Sequence, residues 1–204
     1  MNVLTDIYRD AINISIWQRT LSERLRESAV HVVNSRPLLK TSAVVSPTNV
    51  HARITDVLGT EALSQPLCDD ISDLVEMYCF LFDVKEAGLR LTSLDRAMCP
   101  RFHVDRVLCR LMTTYQGNAT QWLPDHLADR TKLGQGNKGL PDEKSGIMST
   151  KEDIRHLEPG DVALLKGALW KGNESGGIIH RSPPVTSGER RLILTLDFHH
   201  GGQV

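Results

Sequence analysis

The chain has 204 residues and a mass of 22.7 kDa, enough for one domain with a core that needs no disulfide or metal staple. Lys and Arg number 24 against 25 Asp and Glu, a formal net charge of -1, which excludes a nucleic-acid binder driven by bulk charge and an acidic disordered tail. No apolar run approaches the roughly 18–20 residues that span a bilayer, and the opening MNVLTDIYRDAIN has no apolar signal core, so a reducing cytoplasm is the expected setting.

In chain order, Ile12, Ile14 and Ile16 alternate and lead into Trp17, the pattern of a short strand. Leu21, Leu25, Ala29 and Val32 then recur at helical spacing over 21–33, and 35–46, with Pro37, reads as a loop. The clearest helix is expected over 67–86. Asp69 or Asp70 would cap it, Ile71, Leu74, Val75, Tyr78 and Phe82 form one apolar stripe, and Gly88 would stop it. Such a helix should pack on the outside of a sheet.

After Gly88 the texture turns to strands: Leu89–Thr92, Phe102–Asp105, Val107–Tyr115, Val162–Leu165 and Arg191–Phe198. Between them, the polar stretch 125–149 is long enough to be either functional or disordered. The chain is therefore expected to consist of an N-terminal helical or mixed extension, 1–88, packed on a β core, 89–204, within one structural domain. The cysteines Cys68, Cys79, Cys99 and Cys109 contain no C-x-x-C pair and read as free thiols.

The chemistry concentrates in two places. In a strand, His103 and Asp105 of His103-Val104-Asp105 would point to one face, where an imidazole and a carboxylate can share a metal. Alone, this triplet is better read as a surface strand with two polar neighbours. Farther along, Ile178 and Ile179 deliver His180 at a strand end, Ser187-Gly188 turns the chain, and Arg190 opens the last strand. Two histidines and one carboxylate form a facial set that leaves metal positions open, which suits non-haem Fe(II). Arg190 would offer a guanidinium fork to a distant carboxylate. Phosphate loops of the G-x-x-x-x-G-K type, H-E-x-x-H and G-x-S-x-G are missing from the sequence, so nucleotide-binding and hydrolase readings have little support.

The order of these segments resembles the Fe(II)/2-oxoglutarate-dependent oxygenases. His180-x3-Pro184-Val185-x2-Gly188-x-Arg190 is similar to the second-histidine segment of prolyl-hydroxylase-like members, and Pro159-Gly160-Asp161-Val162-Ala163-Leu164-Leu165 to the strand before it. Thr114-Tyr115 and Gly117-x2-Thr120-x-Trp122 resemble the strand and Gly-rich turn that follow the first histidine. The chain also resembles an uncharacterised bacterial family of unknown function that is sometimes associated with zinc homeostasis.

The oxygenase resemblance implies an α+β, mainly β fold: a double-stranded β-helix (jelly-roll, cupin-like) core with N-terminal helices packed outside. It implies His103, Asp105 and His180 as ligands of Fe(II), with zinc or manganese able to take its place. It implies 2-oxoglutarate as small-molecule cosubstrate, held by Arg190 with a hydrogen bond from Tyr115, for the hydroxylation or demethylation of a substrate that the sequence does not name. No membrane partner and no strong nucleic-acid partner is expected. Two departures stand out. Members often carry a hydroxyl residue two after the arginine, where this chain has Leu192, and Arg191 neighbours Arg190, so that alternation sends the two to opposite faces and leaves open which one binds.

The alternative is a non-catalytic cupin-like zinc-binding protein of metal homeostasis, which the zinc-associated resemblance favours. Cys99 lies close enough in sequence to His103 to serve such a site, and Arg101, Arg106 and Arg110 form a basic cluster around it. His199-His200-Gly201-Gly202 is a weaker metal candidate at a fraying end. The 125–149 stretch follows the strand bearing Tyr115 and is placed to be a substrate lid.

Overall fold

The computed structural model describes residues 3–199. The first strand, β1 (Ile14–Trp17), leads to helix α1 (Glu23–Ser35), strand β2 (Lys40–Val45) and helices α2 (Val50–Leu58) and α3 (Gln65–Phe82). Strands β3 (Ala87–Leu94), β4 (Cys109–Gln116) and β5 (Gln121–Leu123) follow, then α4 (Asp142–Ser145) and strands β6 (Arg155–His156), β7 (Val162–Lys166), β8 (Ile179–Arg181) and β9 (Arg191–Phe198). Among the described residues no helix is long and apolar enough to cross a membrane. The His199-His200-Gly201-Gly202 candidate lies outside the described residues from His200 onward.

Local chemistry explains the helix bounds. Ser22 caps α1 by accepting from the Leu25 N–H, and Leu25, Ala29, Val32 and Val33 form its buried stripe. Helix α3 starts earlier than the sequence suggests. Ser64 precedes it and Pro66 sits in its first turn, where a missing N–H costs nothing. Asp69 and Asp70 therefore lie inside the helix and bond side chains instead: Asp69 faces His51, and Asp70 accepts from Arg19 and Tyr115. The stop is Asp83, left-handed at φ 50°, and Gly88 belongs to β3.

The expected loop over 35–46 holds β2, an edge strand. Its polar residues face water, which weakens the apolar signal that marks inner strands. Conversely, Phe102–Asp105 makes only an isolated bridge between His103 and His180 rather than a strand.

All pairings are antiparallel. The large sheet runs β1-β7-β4-β9-β3-β2 and the small one β6-β5-β8. Alternation gives the large sheet two unlike faces. Leu89, Leu91, Leu111, Val162, Leu164, Leu192, Leu194 and Leu196 pack with the stripes of α1, α2 and α3 in one core. On the other face, Met112, Ala163 and Leu165 meet Leu157, Ile178 and Trp122 from around the small sheet. The fold is thus α+β in three layers: helices, large sheet, small sheet.

Candidate metal centre

The two histidines are brought together by backbone pairing. His103 N–H donates to the His180 carbonyl at 3.0 Å, and His180 N–H returns the bond at 3.0 Å. Trp122 on β5 pairs with His180 from the other side. The imidazoles stand 4.5 Å apart between centroids. Asp105 follows in a loop whose carbonyl accepts from the Ala168 N–H at 2.9 Å. Gly167 permits that crossing, because a Cβ there would lie 2.8 Å from the Asp105 carbonyl oxygen.

Both rings are oriented by carbonyl groups. Nδ1 of His103 lies 2.9 Å from the Arg101 oxygen, and Nδ1 of His180 lies 3.2 Å from the Ile178 oxygen. A carbonyl only accepts, so Nδ1 carries the hydrogen in each, and the neutral ring keeps its lone pair on Nε2. Those Nε2 atoms point at Asp105, 3.4 Å from Oδ1 for His103 and 3.3 Å from Oδ2 for His180. The three donor atoms lie within 4.8 Å of one another. Two neutral nitrogens and one carboxylate oxygen at this spacing fit a divalent ion with bonds of about 2.0–2.2 Å.

Electrostatics agree with that donor set. Burial alone would raise the Asp105 pKa, but bonds from His103 and His180 and the charge of Arg110 hold it well below the usual carboxylate range. Burial opposes charge on His103, yet Asp105 and the Arg101 carbonyl outweigh it and hold the imidazole above its usual value. Without an ion, a proton on His103 serves as positive charge that the carboxylate attracts.

Arg110 completes this array. Its Nη1 donates to Asp105 Oδ2, while Nε and Nη2 donate to Asp197 at 2.7 and 2.8 Å. A cavity of about 100 Å³ opens beside the centre, lined among others by Arg90, Thr92, Cys99, Met112, Ile193 and Thr195. Cys99 is exposed, whereas Cys68, Cys79 and Cys109 are buried, and all four are free thiols.

The structure separates the other residues named from the sequence. Arg190 precedes β9 and turns away, donating to the Pro37 carbonyl at 2.7 Å and lining a surface hollow with Pro37 and Gln116. Tyr115 belongs to the helix-covered face of β4, and its hydroxyl donates to Asp70 at 2.7 Å. Neither lines the cavity beside the three donors. Arg191 does not line it either, but it shares the sheet face of Ile193 and Thr195, which do. It is fully buried, and its Nε donates to the Asn118 carbonyl. Neither Nη1 nor Nη2 of Arg191 has a partner among the described residues, and burial pulls its pKa down to about 10. Gly117, at φ 80°, lets the neighbouring turn approach, since a Cβ there would sit 2.7 Å from the Arg190 oxygen.

The stretch 125–149 is ordered. Ile147 and Met148 pack with Phe102, Leu123 and Ile179, and buried Asp142 accepts from the Phe102 N–H, Arg181 and Arg101 at 2.9, 2.9 and 3.1 Å. Asp142 therefore ties this stretch to the neighbours of both histidines. Arg110 is visible in the sequence only as one member of a basic cluster. Asp142 and Asp197 carry no sequence signal, because their partners are distant along the chain.

A family model described as a protein of unknown function (DUF1826) matches residues 1–197. No curated protein matches the chain. Among solved structures, a prolyl-4-hydroxylase of Pseudomonas putida aligns with a TM-score of 0.50 at 16% identity, over 99% of this chain and 93% of that one. A rice dioxygenase for auxin oxidation aligns with a TM-score of 0.54 at 10% identity, over 95% of this chain and 75% of that one. At such identities the likeness is one of fold.

Proposed function

We propose, given that this chain belongs to the DUF1826 family of proteins of unknown function, that it is a non-haem Fe(II)- and 2-oxoglutarate-dependent dioxygenase. One observation carries the reading: buried Arg191, with two unpartnered guanidinium nitrogens, on the same sheet face as the residues beside the His/Asp/His centre. A metal site alone suits many functions. A buried cation without an anion is costly, and a dicarboxylate reaching into the cavity would supply the missing partner. The fold likeness to a hydroxylase and a dioxygenase supports the same reading, and the two facing antiparallel sheets are read as a double-stranded β-helix with helices outside.

In this reading His103 and His180 give neutral nitrogen and Asp105 gives the anionic oxygen. Bound Fe(II) would supply the oxidative chemistry, with 2-oxoglutarate as the source of two electrons. The protein's own residues bind and orient. Arg191, rather than Arg190, pairs with the far carboxylate of the cosubstrate. Thr195 offers a hydroxyl within the cavity, while the position two after Arg191 is the apolar Ile193. The Nδ1 hydrogen bonds hold both rings in one tautomer, and the segment around Asp142 ties the His103 segment to the strand bearing His180.

A second reading, a zinc-holding protein without turnover, is favoured by the exposed Cys99 thiol on the same cavity, since zinc accepts thiolate readily. Calorimetry of 2-oxoglutarate against Mn(II)-loaded protein, followed by succinate release with Fe(II), separates the two. The dioxygenase binds the cosubstrate and releases succinate, and Arg191→Met abolishes both. Metal binding without either response favours the zinc reading.

A further inference from the structure

Asp105 sits in a loop, so strand geometry does not aim its carboxylate. The side chain is aimed by a row of alternating charge laid across the sheet. Arg110 lies one step beyond the Leu111–Leu196 pair of β4 and β9, directly across from Asp197. That pairing is bidentate, Nε to Oδ1 at 2.7 Å and Nη2 to Oδ2 at 2.8 Å, and both side chains are largely buried. The remaining nitrogen, Nη1, reaches Asp105 Oδ2. Arg90, on β3, adds a looser contact to Asp197 at 3.4 Å from a mostly exposed position, which contributes little.

Resting on the metal centre proposed above, we propose that Arg110, anchored by Asp197, is a positioning residue that makes Asp105 a one-oxygen ligand. The guanidinium holds Oδ2, which His180 Nε2 also approaches at 3.3 Å, and leaves Oδ1, 3.4 Å from His103 Nε2, as the oxygen free to bind the metal. A carboxylate tied in this way occupies one coordination position rather than two, which leaves the metal room for a chelating cosubstrate. A planar fork fixed by two bonds at one end and delivering a third at the other is a task for arginine. A lysine ammonium at position 110 cannot span both carboxylates.

The test uses Co(II) bound to the intact chain, read by calorimetry and by visible absorption, which reports coordination number. Arg110→Gln is expected to weaken Co(II) binding by about 10–100-fold, the usual effect of losing a partner that orients a ligand, and to change the absorption toward a higher coordination number. Arg110→Lys should not restore either property. Asp197→Asn, which keeps Arg110, should shift both in the same direction by less, and the double variant should be no worse than Arg110→Gln alone. If Arg110→Gln does not fold, Asp197→Asn carries the same comparison. A purely structural role would lower the melting temperature of the metal-free protein and leave affinity and spectrum of the folded protein unchanged, which overturns the inference. Parent-like binding in Arg110→Lys overturns it also. Parent protein that binds no Co(II) sinks the metal centre itself, whereas parent that binds Co(II) but no 2-oxoglutarate sinks only the dioxygenase reading.

Discussion

The two faces of the large sheet are made by the same strands and have opposite character. On β9, Leu192, Leu194 and Leu196 join the helices in a dry core, while Arg191, Ile193, Thr195 and Asp197 lie on the face of the small sheet and the candidate metal centre. On β4 the division repeats, with Leu111 and Tyr115 on one side and Arg110 and Met112 on the other. One face repays burial by excluding water from hydrocarbon. The other gathers charges that are costly to bury unless each finds a partner. Stability and chemistry are thereby separated by a single residue step along each strand.

Substitutions can break that division from either side. The largest effect is expected from Asp105→Ala, which removes the anionic donor. Metal affinity should fall by more than the ~100-fold at the upper end for an outer partner, measured by Co(II) titration. On the opposite face, Leu194→Ala should destabilise the fold by about 2–5 kcal/mol in urea titration, while the folded fraction keeps its Co(II) spectrum. Equal damage to metal binding by both changes would show that the faces are not independent.

Arg191→Met sharpens the contrast, because it removes charge from the functional face. The metal-free protein should gain about 1–3 kcal/mol through loss of two unsatisfied buried donors. The ~2.7 kcal/mol of stabilisation that 2-oxoglutarate gives at about 100 times its Kd should vanish. A loss of stability without ligand would mean that Arg191 already has its partner.

The smallest effect is in pH. The folded His103 pKa is raised, so its contribution to stability is full below the unfolded value near ~6.5 and is lost as pH rises through the folded value. The Asp105 pKa is depressed, so its contribution is present above ~3.9 and is lost as pH falls toward the folded value. Metal-free protein should therefore be most stable in mildly acidic solution and lose a little by pH 8. Bound metal replaces the proton and should reverse the trend above pH 6, as melting curves with and without Co(II) would show.

Much of this was legible in the sequence for a simple reason: period and propensity are local. The apolar stripe of α3, the strand runs of β4, β7 and β9, and the closeness of His103 to Asp105 follow from residues near one another in the chain, whereas His180 joins them only through long-range backbone pairing with His103. Edge strand β2 escaped notice because water on its exposed side dilutes the alternation. The helix start at Gln65 was hidden because two acids farther along offered a more obvious cap.

The sequence by itself determined that Arg190 and Arg191 must face opposite ways and that β4 and β9 must each have one oily side. Only the tertiary structure decided which arginine turns inward, which side of β4 takes Tyr115, and that Arg110 finds Asp197 across the sheet. The physical reason is that backbone geometry alternates side chains without saying which side will be the interior. That choice is made when helices cover one face, and long-range strand pairing then sets which buried charges can meet.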